Sequence, residues 1–187
     1  MPAIETVRGP VEVAQLGQTL MHEHVFVLSE EIRRNSGNWD EEARVADAVA
    51  KLRALKSRGV DTIVDPARVV VGHSGDSTDL DYLIALMEAG SFIGMDRFGI
   101  DTILPFEQRC ATVAELCRRG YAERMVLAHD ASCYIDWFEE RTLAKALPRW
   151  HLTHIHDDVL PELRSRGVTD AQIATMLVEN PRRYFAA

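Results

Sequence analysis

Short β-branched runs that alternate with helical periods are the feature that most constrains the fold of this chain. Residues 40–58 carry apolar side chains at a helical spacing, with Asp40 as a candidate cap and Gly59 as the stop. Parallel strands need a covered crossover, so the alternation predicts an α/β fold with a parallel sheet. The predicted strands are 19–26, 60–66, 68–73, 91–96 and 124–130, and the other predicted helices are 77–90 (capped by Ser77), 105–120 and two that close the chain.

Length and charge limit the classes of function. The chain has 187 residues, 47% of them hydrophobic, which favours one domain spanning residues 1–187. Its formal net charge is −8 and its 21 basic residues are scattered, which argues against a nucleic acid or an anionic membrane as partner. We therefore expect a small-molecule ligand or a metal cation.

Cysteine usage and hydropathy indicate the compartment. Three cysteines without a CxxC spacing suggest neither a disulfide framework nor a zinc knuckle, and a reducing cytoplasm fits them. No apolar run approaches the roughly 18 residues that a membrane span needs. The prediction is a cytoplasmic protein.

Polar side chains stand at the ends of the predicted strands, where parallel sheets assemble their sites. His22 and His24 lie two apart in a strand and therefore project from the same face, while Glu23 points away. Such a pair can bind one metal ion, and a catalytic zinc ion keeps a position open for water. His73 and Asp130 end two other strands, and together the four residues favour a metal site over the alternative of hydrogen-bonded edge side chains.

Two further groups of histidines are not assigned to the metal site. His129 and Asp130 face opposite ways in an extended strand, so one of them can enter the site, and we choose the carboxylate. A second HxH pair, His154 and His156, runs into two aspartates before a helical period. We interpret it as the approach to a helix with capping acids.

Six ordered blocks of sequence resemble the phosphotriesterase-like branch of the amidohydrolase superfamily, which includes phosphotriesterase-related proteins and phosphotriesterase-like lactonases. The blocks cover the whole chain in the family's order: LGQTLMHEH, GVDTIVD, VVVGHSGDSTDLDYL, GSFIGMDRFGID, MVLAHDASCYIDW and ENPRRYF.

The resemblance implies a TIM-barrel fold, (β/α)8, with two divalent metals, most often zinc, bridged by a carboxylated lysine. It implies that His22, His24, His73 and Asp130 are metal ligands and that Asp130 takes a proton from the attacking water. Arg97 and Trp137 match residues that line the substrate site in the lactonase branch. Without the resemblance, Arg97 would be interpreted as part of a surface ion pair and Trp137 as a packed loop anchor.

The chain also departs from the family it resembles. No counterpart exists for strands three, four and five, which carry the bridging lysine and one histidine ligand. The three lysines of the chain, Lys51, Lys56 and Lys145, stand at no predicted strand end. We expect an incomplete barrel that lacks about three central βα units, with His22, His24 and Asp130 on a first metal and His73 alone for a second.

Chain geometry gives the same indication independently. Only Pro66 and Ala67 separate the strands Val60–Asp65 and Arg68–His73. Two residues span about 7 Å, whereas a parallel return crosses roughly 20 Å. The junction at 66–68 is therefore a tight hairpin, part of one continuous strand, or the site of an internal deletion in a chain that folds poorly. Open sheet edges would also favour a homodimer or aggregation.

Two hypotheses follow. The first is a metal-dependent hydrolase acting on a small lactone or organophosphate-type ester through an activated water. The second is a catalytically incompetent, internally deleted remnant that binds at most one metal ion.

Overall fold

The computed structural model of the protein describes residues 2–28, 39–64 and 70–186. An antiparallel hairpin that was not predicted opens the chain, with β1 (Ala3–Thr6) paired to β2 (Gly9–Glu12). The remaining strands are β3 (Gln18–Leu20), β4 (His24–Val27), β5 (Val60–Ile63), β6 (Ile93–Met95), β7 (Met125–Leu127) and β8 (Ser132–Ile135).

These strands pair in parallel, as the alternating pattern predicts. The pairs are β3 with β5, β4 with β8, and β6 with β7. A parallel bridge joins Val71 to Ile93, and backbone hydrogen bonds connect the end of β7 to the segment between β3 and β4. Across the described residues the order runs from β5 through β3 and β4 to β7, β6 and Val71.

The first helix shows why its sequence folds locally. Helix α1 (Glu41–Lys56) begins after Asp40, whose side chain accepts a hydrogen bond from the amide of Ala43 at 3.1 Å. Gly59 follows the helix with a φ of +89°, a conformation that favours glycine. The predicted helix and both of its end signals are confirmed.

The other helices cover the sheet. They are α2 (Leu80–Glu88), α3 (Phe106–Arg118), α4 (Glu140–Ala146), α5 (Leu160–Ser165), α6 (Asp170–Ala174) and α7 (Asn180–Ala186). Helix α5 follows a π-helical turn at Ile155–Val159, and a second π-helical turn at Thr175–Glu179 joins α6 to α7. None of the helices in the described residues has the length and apolar character to cross a membrane.

The core lies between the helices and the central strands. Every residue of β6 and β7 is buried, which is the pattern of a parallel strand covered on both faces. Leu83 of α2 and Val113 and Leu116 of α3 are fully buried against these strands. Each such side chain contributes about 1.5–3 kcal/mol of burial free energy.

Three local predictions need correction or lie outside the described residues. The predicted strand 19–26 is interrupted at residues 21–23, because β3 pairs with β5 whereas β4 pairs with β8. Asp79, not Ser77, caps α2 by accepting a hydrogen bond from the amide of Tyr82. The junction at 66–68 lies outside the described residues, and of the predicted strand 68–73 the described part shows one bridge, at Val71.

Candidate metal centre

Three histidines surround one carboxylate at the carboxyl end of the sheet. The Nε2 atom of His22 lies 3.1 Å from Oδ1 of Asp130, and Nε2 of His24 lies 3.4 Å from the same oxygen. The Nε2 atom of His73 lies 3.2 Å from Oδ2 of Asp130. The structure thus brings together all four residues that the sequence singled out as metal ligands.

The ligand atoms are close enough for one ion to reach several of them. One ligand atom from each of His22, His73 and Asp130 lies within 4.8 Å of the other two. The rings of His22 and His73 stack, with centroids 5.7 Å apart and an interplanar angle of 10°. This differs from the expectation that His73 would stand alone, because it lies against the same carboxylate as His22.

A buried aspartate orients this cluster from below. Asp96 follows β6 and is fully buried, and its Oδ2 atom lies 3.0 Å from Nδ1 of His22. The same oxygen accepts a hydrogen bond from the backbone amide of His73 at 2.9 Å. Since Nδ1 of His22 faces Asp96, its Nε2 atom is the one directed at Asp130. Asp96 is the last residue of the predicted strand 91–96, and the sequence alone gives it no role.

Charge pairing shifts the titration of the site. Burial alone would lower the pKa of His22, but hydrogen bonds to Asp130 and Asp96 outweigh it and raise the pKa to about 10. Burial would raise the pKa of Asp130, whereas the hydrogen bond and charge of His22 and the hydrogen bond from Arg97 hold it below its ordinary value. Carboxylates that favour a proton on His22 also favour a metal cation in its place.

Arg97 is engaged by carboxylates at the rim of the site. Its Nε atom donates to Oδ2 of Asp130 at 3.2 Å, and its terminal nitrogen donates to Asp76 at 2.9 Å. Asp76 in turn accepts a hydrogen bond of 2.6 Å from the buried guanidinium of Arg109. Arg97 therefore lies beside the candidate ligands, in an ion-pair network rather than free.

Trp137, the other predicted substrate residue, lies in the turn after β8. Its side chain is 58% exposed, and the neighbouring Phe138 is 52% exposed. The structure therefore places an apolar surface on the loop that follows Asp130, while showing no packed anchor of the kind that the alternative interpretation requires.

His129 and Glu23 face away from the cluster and are both fully buried. The Nδ1 atom of His129 lies 2.7 Å from Oε1 of Glu23, and the Nε2 atom of His129 accepts a hydrogen bond from the amide of Ile155 at 2.9 Å. Since Nε2 is an acceptor, Nδ1 carries the proton and donates it to Glu23. Asp130 is accordingly the member of the pair that enters the site.

The second HxH pair contributes nothing to this cluster. The Nδ1 atom of His154 lies 2.7 Å from Oδ2 of Asp158, and Nε2 of His156 lies 3.1 Å from Oε1 of Gln18. The pair leads into a helix as predicted, but the capping role given to its aspartates is wrong. Asp157 instead pairs with Arg58 at 2.6 Å.

No lysine of the described residues lies among these ligands. Lys51 donates to the backbone carbonyl of Cys133 at 2.7 Å and pairs with Asp47, and Lys56 pairs with Asp61. Lys145 is exposed on α4. The donor set of imidazoles and one carboxylate therefore suits one first-row divalent ion with an open position, and offers no lysine to bridge a second ion.

Comparison with known proteins places this geometry in a family. The sequence profile of the phosphotriesterase family matches residues 2–67 and 64–185. A phosphotriesterase homology protein of Mycobacterium tuberculosis is 34% identical over 319 aligned positions, which cover 99% of this chain and 98% of that protein. An aryldialkylphosphatase of Saccharolobus solfataricus is 39% identical over 125 residues, covering 66% of this chain and 40% of that protein.

Solved structures agree with the sequence comparison. The phosphotriesterase from Mycobacterium tuberculosis matches with a TM-score of 0.93 at 33% identity, covering 98% of each chain. A variant of the organophosphorus hydrolase from Deinococcus radiodurans matches with a TM-score of 0.88 at 22% identity, covering 99% of this chain and 97% of that chain. At this level of identity the match shows a shared fold and nothing more. These neighbours have the TIM-barrel fold. The chain belongs to the phosphotriesterase family, whose members are metal-dependent hydrolases.

Proposed function

We propose that this chain is a zinc-dependent hydrolase that cleaves a lactone or an organophosphate-type ester with a water molecule. The observation that carries the proposal is the convergence of His22, His73 and Asp130, whose ligand atoms lie within 4.8 Å of one another. The aryldialkylphosphatase of Saccharolobus solfataricus supports the substrate class by its name.

His22, His73 and Asp130 would hold the metal ion, with His24 beside them. A bound zinc ion lowers the pKa of water and polarises the oxygen of the bond under attack. Asp130 would accept the proton of the attacking water, because its carboxylate is ionised beside His22 and Arg97 and lies among the candidate ligands. Its position between three imidazoles keeps it aimed into the site.

Arg97 and Trp137 would receive the substrate. Arg97 lies within hydrogen-bond distance of Asp130, so a substrate oxygen next to the reacting centre comes within reach of its guanidinium. Trp137 offers an exposed aromatic face on the loop after β8, suitable for the apolar part of an ester or lactone.

We further propose that the fold is an incomplete barrel lacking about three central βα units. An alignment of 319 positions is longer than this chain of 187 residues, so it includes positions of the relative that have no counterpart here. The two segments matched by the family profile overlap at residues 64–67, at the junction that chain geometry singled out. Among the described residues, no backbone hydrogen bond joins the two ends of the strand order, β5 and Val71, which supports an open arc of strands.

The proposal is tested with purified protein loaded with Zn²⁺ or Co²⁺. We expect hydrolysis of an aryl ester, a lactone or an organophosphate triester, and a loss of kcat of about 10²- to 10⁴-fold in Asp130→Asn. Asp157→Asn is the matched control, since Asp157 pairs with Arg58 outside the site. Loaded wild-type protein that hydrolyses none of the three substrates would contradict the proposal.

A second candidate function is favoured by the positions of the lysines. Because none of the three joins the described ligands, the chain could be a non-catalytic remnant that holds one ion. Metal analysis combined with the assay separates the candidates. Hydrolysis by the loaded protein, with one or two ions bound per chain, refutes the remnant, whereas one bound ion without activity refutes the hydrolase.

A further inference from the structure

Three strand ends at the candidate site have a strained backbone. Among the described residues, the non-glycine residues with positive φ are His73 (61°), Arg97 (59°) and Asp130 (52°). This left-handed conformation costs an ordinary side chain about 1–2 kcal/mol. All three residues stand at the carboxyl ends of neighbouring strands and contact one another through Asp130. The strain is therefore concentrated where the candidate ligands meet.

Three fully buried charged side chains lie behind these strand ends. Apart from histidines, the buried side chains with a formal charge in the described residues are Glu23, Asp96 and Arg109. Burying an ion costs several kcal/mol unless it is paired and hydrogen-bonded. Their hydrogen bonds go largely to backbone groups next to the strained residues.

Glu23 holds the backbone on both sides of Asp130. Its Oε1 atom accepts a hydrogen bond from the amide of His129 at 2.8 Å, and its Oε2 atom accepts one from the amide of Ala131 at 3.2 Å. The ring of His129 donates a third hydrogen bond to the same carboxylate. One buried carboxylate thus holds the backbone amides of the residues immediately before and after the strained residue.

Asp96 and Arg109 act in the same way on the other two strand ends. Asp96 accepts a hydrogen bond from the amide of His73 itself at 2.9 Å. Arg109 donates to the carbonyl of Asp96, the residue before Arg97, at 3.0 Å and to the carbonyl of Gly75 at 2.5 Å. A Cβ atom at position 75 would lie 2.5 Å from the carbonyl oxygen of Asp96, so these two backbone segments are in direct contact.

We propose that Glu23, Asp96 and Arg109 are positioning residues that hold the strained backbone at Asp130, His73 and Arg97 and so aim those side chains at one point. The proposal rests on the proposed function in so far as these side chains bind a metal ion. The hydrogen bonds that hold the backbone form with or without a metal. None of the three is required to touch the substrate.

The test compares Glu23→Gln with Asn180→Asp. A glutamine has one acceptor oxygen where the carboxylate has two, and its NH₂ group would face a backbone N–H. Asn180 is also fully buried and donates to the carbonyl of Met125, at the opposite end of the strand that leads to Asp130. Both substitutions exchange an acid and an amide in a buried hydrogen-bond network, so both are expected to lower thermal stability.

Two readouts distinguish positioning from general stability. In Glu23→Gln, we expect hydrogen exchange at the amides of residues 129 and 131 to rise roughly tenfold, and in Asn180→Asp we expect it to stay near the wild-type rate. We also expect the apparent dissociation constant for Co²⁺ to rise by about 10- to 100-fold in Glu23→Gln, with an altered visible absorption spectrum, and not in Asn180→Asp.

The outcomes separate this inference from the proposed function. Wild-type protein that binds no Co²⁺ contradicts the proposed function. The hydrogen-exchange experiment still tests whether Glu23 holds the backbone around Asp130. Unchanged exchange in folded Glu23→Gln, or equal loosening of residues 129–131 in Asn180→Asp, overturns the inference. If Glu23→Gln does not fold, Asp96→Asn takes its place. In that variant we expect faster hydrogen exchange at the amide of His73 and weaker Co²⁺ binding, and an unchanged exchange rate overturns the inference.

Discussion

The ring of His73 stacks on the ring of His22, with centroids 5.7 Å apart and planes within 10°. The resemblance assigns these two histidines to different metal ions, yet here both Nε2 atoms lie within 3.2 Å of the Asp130 carboxylate. No lysine of the described residues stands between them to hold two ions apart. The stacked pair therefore favours one ion shared by ligands that the family divides between two.

The first prediction is that the chain binds one ion and that both histidines are needed for it. Loss of a hydrogen-bond partner of a metal ligand lowers metal affinity by about 10- to 100-fold. His22→Ala and His73→Ala remove a ligand itself, so each should lower Zn²⁺ affinity by more than that. His151→Ala is the matched control, because His151 is exposed and contacts Thr153. Calorimetric titration gives both numbers, and wild-type affinity in His73→Ala would contradict the shared site.

Sequence reasoning found the residues of this site better than their conformation. The start of α1 could be predicted because its cap, Asp40, acts within a few residues of the chain. The interruption of the first predicted strand could not be predicted, because it depends on distant partners: β3 pairs with β5, whereas β4 pairs with β8. The left-handed conformation of Asp130 is likewise held by Glu23, a residue distant in sequence.

A second prediction uses the strained backbone at Arg97, whose φ is 59°. Arg97→Ala and Arg97→Gly remove the same ion pairs with Asp76 and Asp130, but only glycine relaxes the left-handed conformation. We expect the glycine variant to be the more stable of the two by about 1 kcal/mol. Urea denaturation measures the difference, and equal stability would show that position 97 carries no strain.

A third prediction concerns Trp137, which is 58% exposed. Because more than half of the residue is exposed, Trp137→Ala should change the free energy of unfolding by no more than about 0.5 kcal/mol. If the loop receives the substrate, the same variant should raise KM for an aryl ester. Phe138→Ala is the control of similar exposure, and an equal effect of both substitutions on KM would argue against a specific role of Trp137.

A fourth prediction follows from the capping box at Thr169. Its side chain accepts a hydrogen bond from the amide of Gln172, whose side chain accepts one from the amide of Thr169. Thr169→Ala should therefore destabilise the protein by about 1 kcal/mol. Thr175→Ala is the control, since that hydroxyl donates to the carbonyl of Ala171 within the helix and satisfies no free amide. Thermal denaturation of both variants measures the difference.

The last prediction is a loss of stability in mild acid that depends on His156. Burial lowers the pKa of His156 from 6.5 to about 4, and its Nδ1 atom is buried without a hydrogen-bond partner. Between these pH values the unfolded chain binds a proton that the folded chain does not, so stability falls as the pH drops from 6.5 toward 4. His156→Gln, which can keep the contact with Gln18, should make the decline shallower in urea denaturation at pH 7, 6, 5 and 4. A decline as steep as that of the wild type would show that other groups account for the acid sensitivity, such as His154, whose pKa is also lowered by burial.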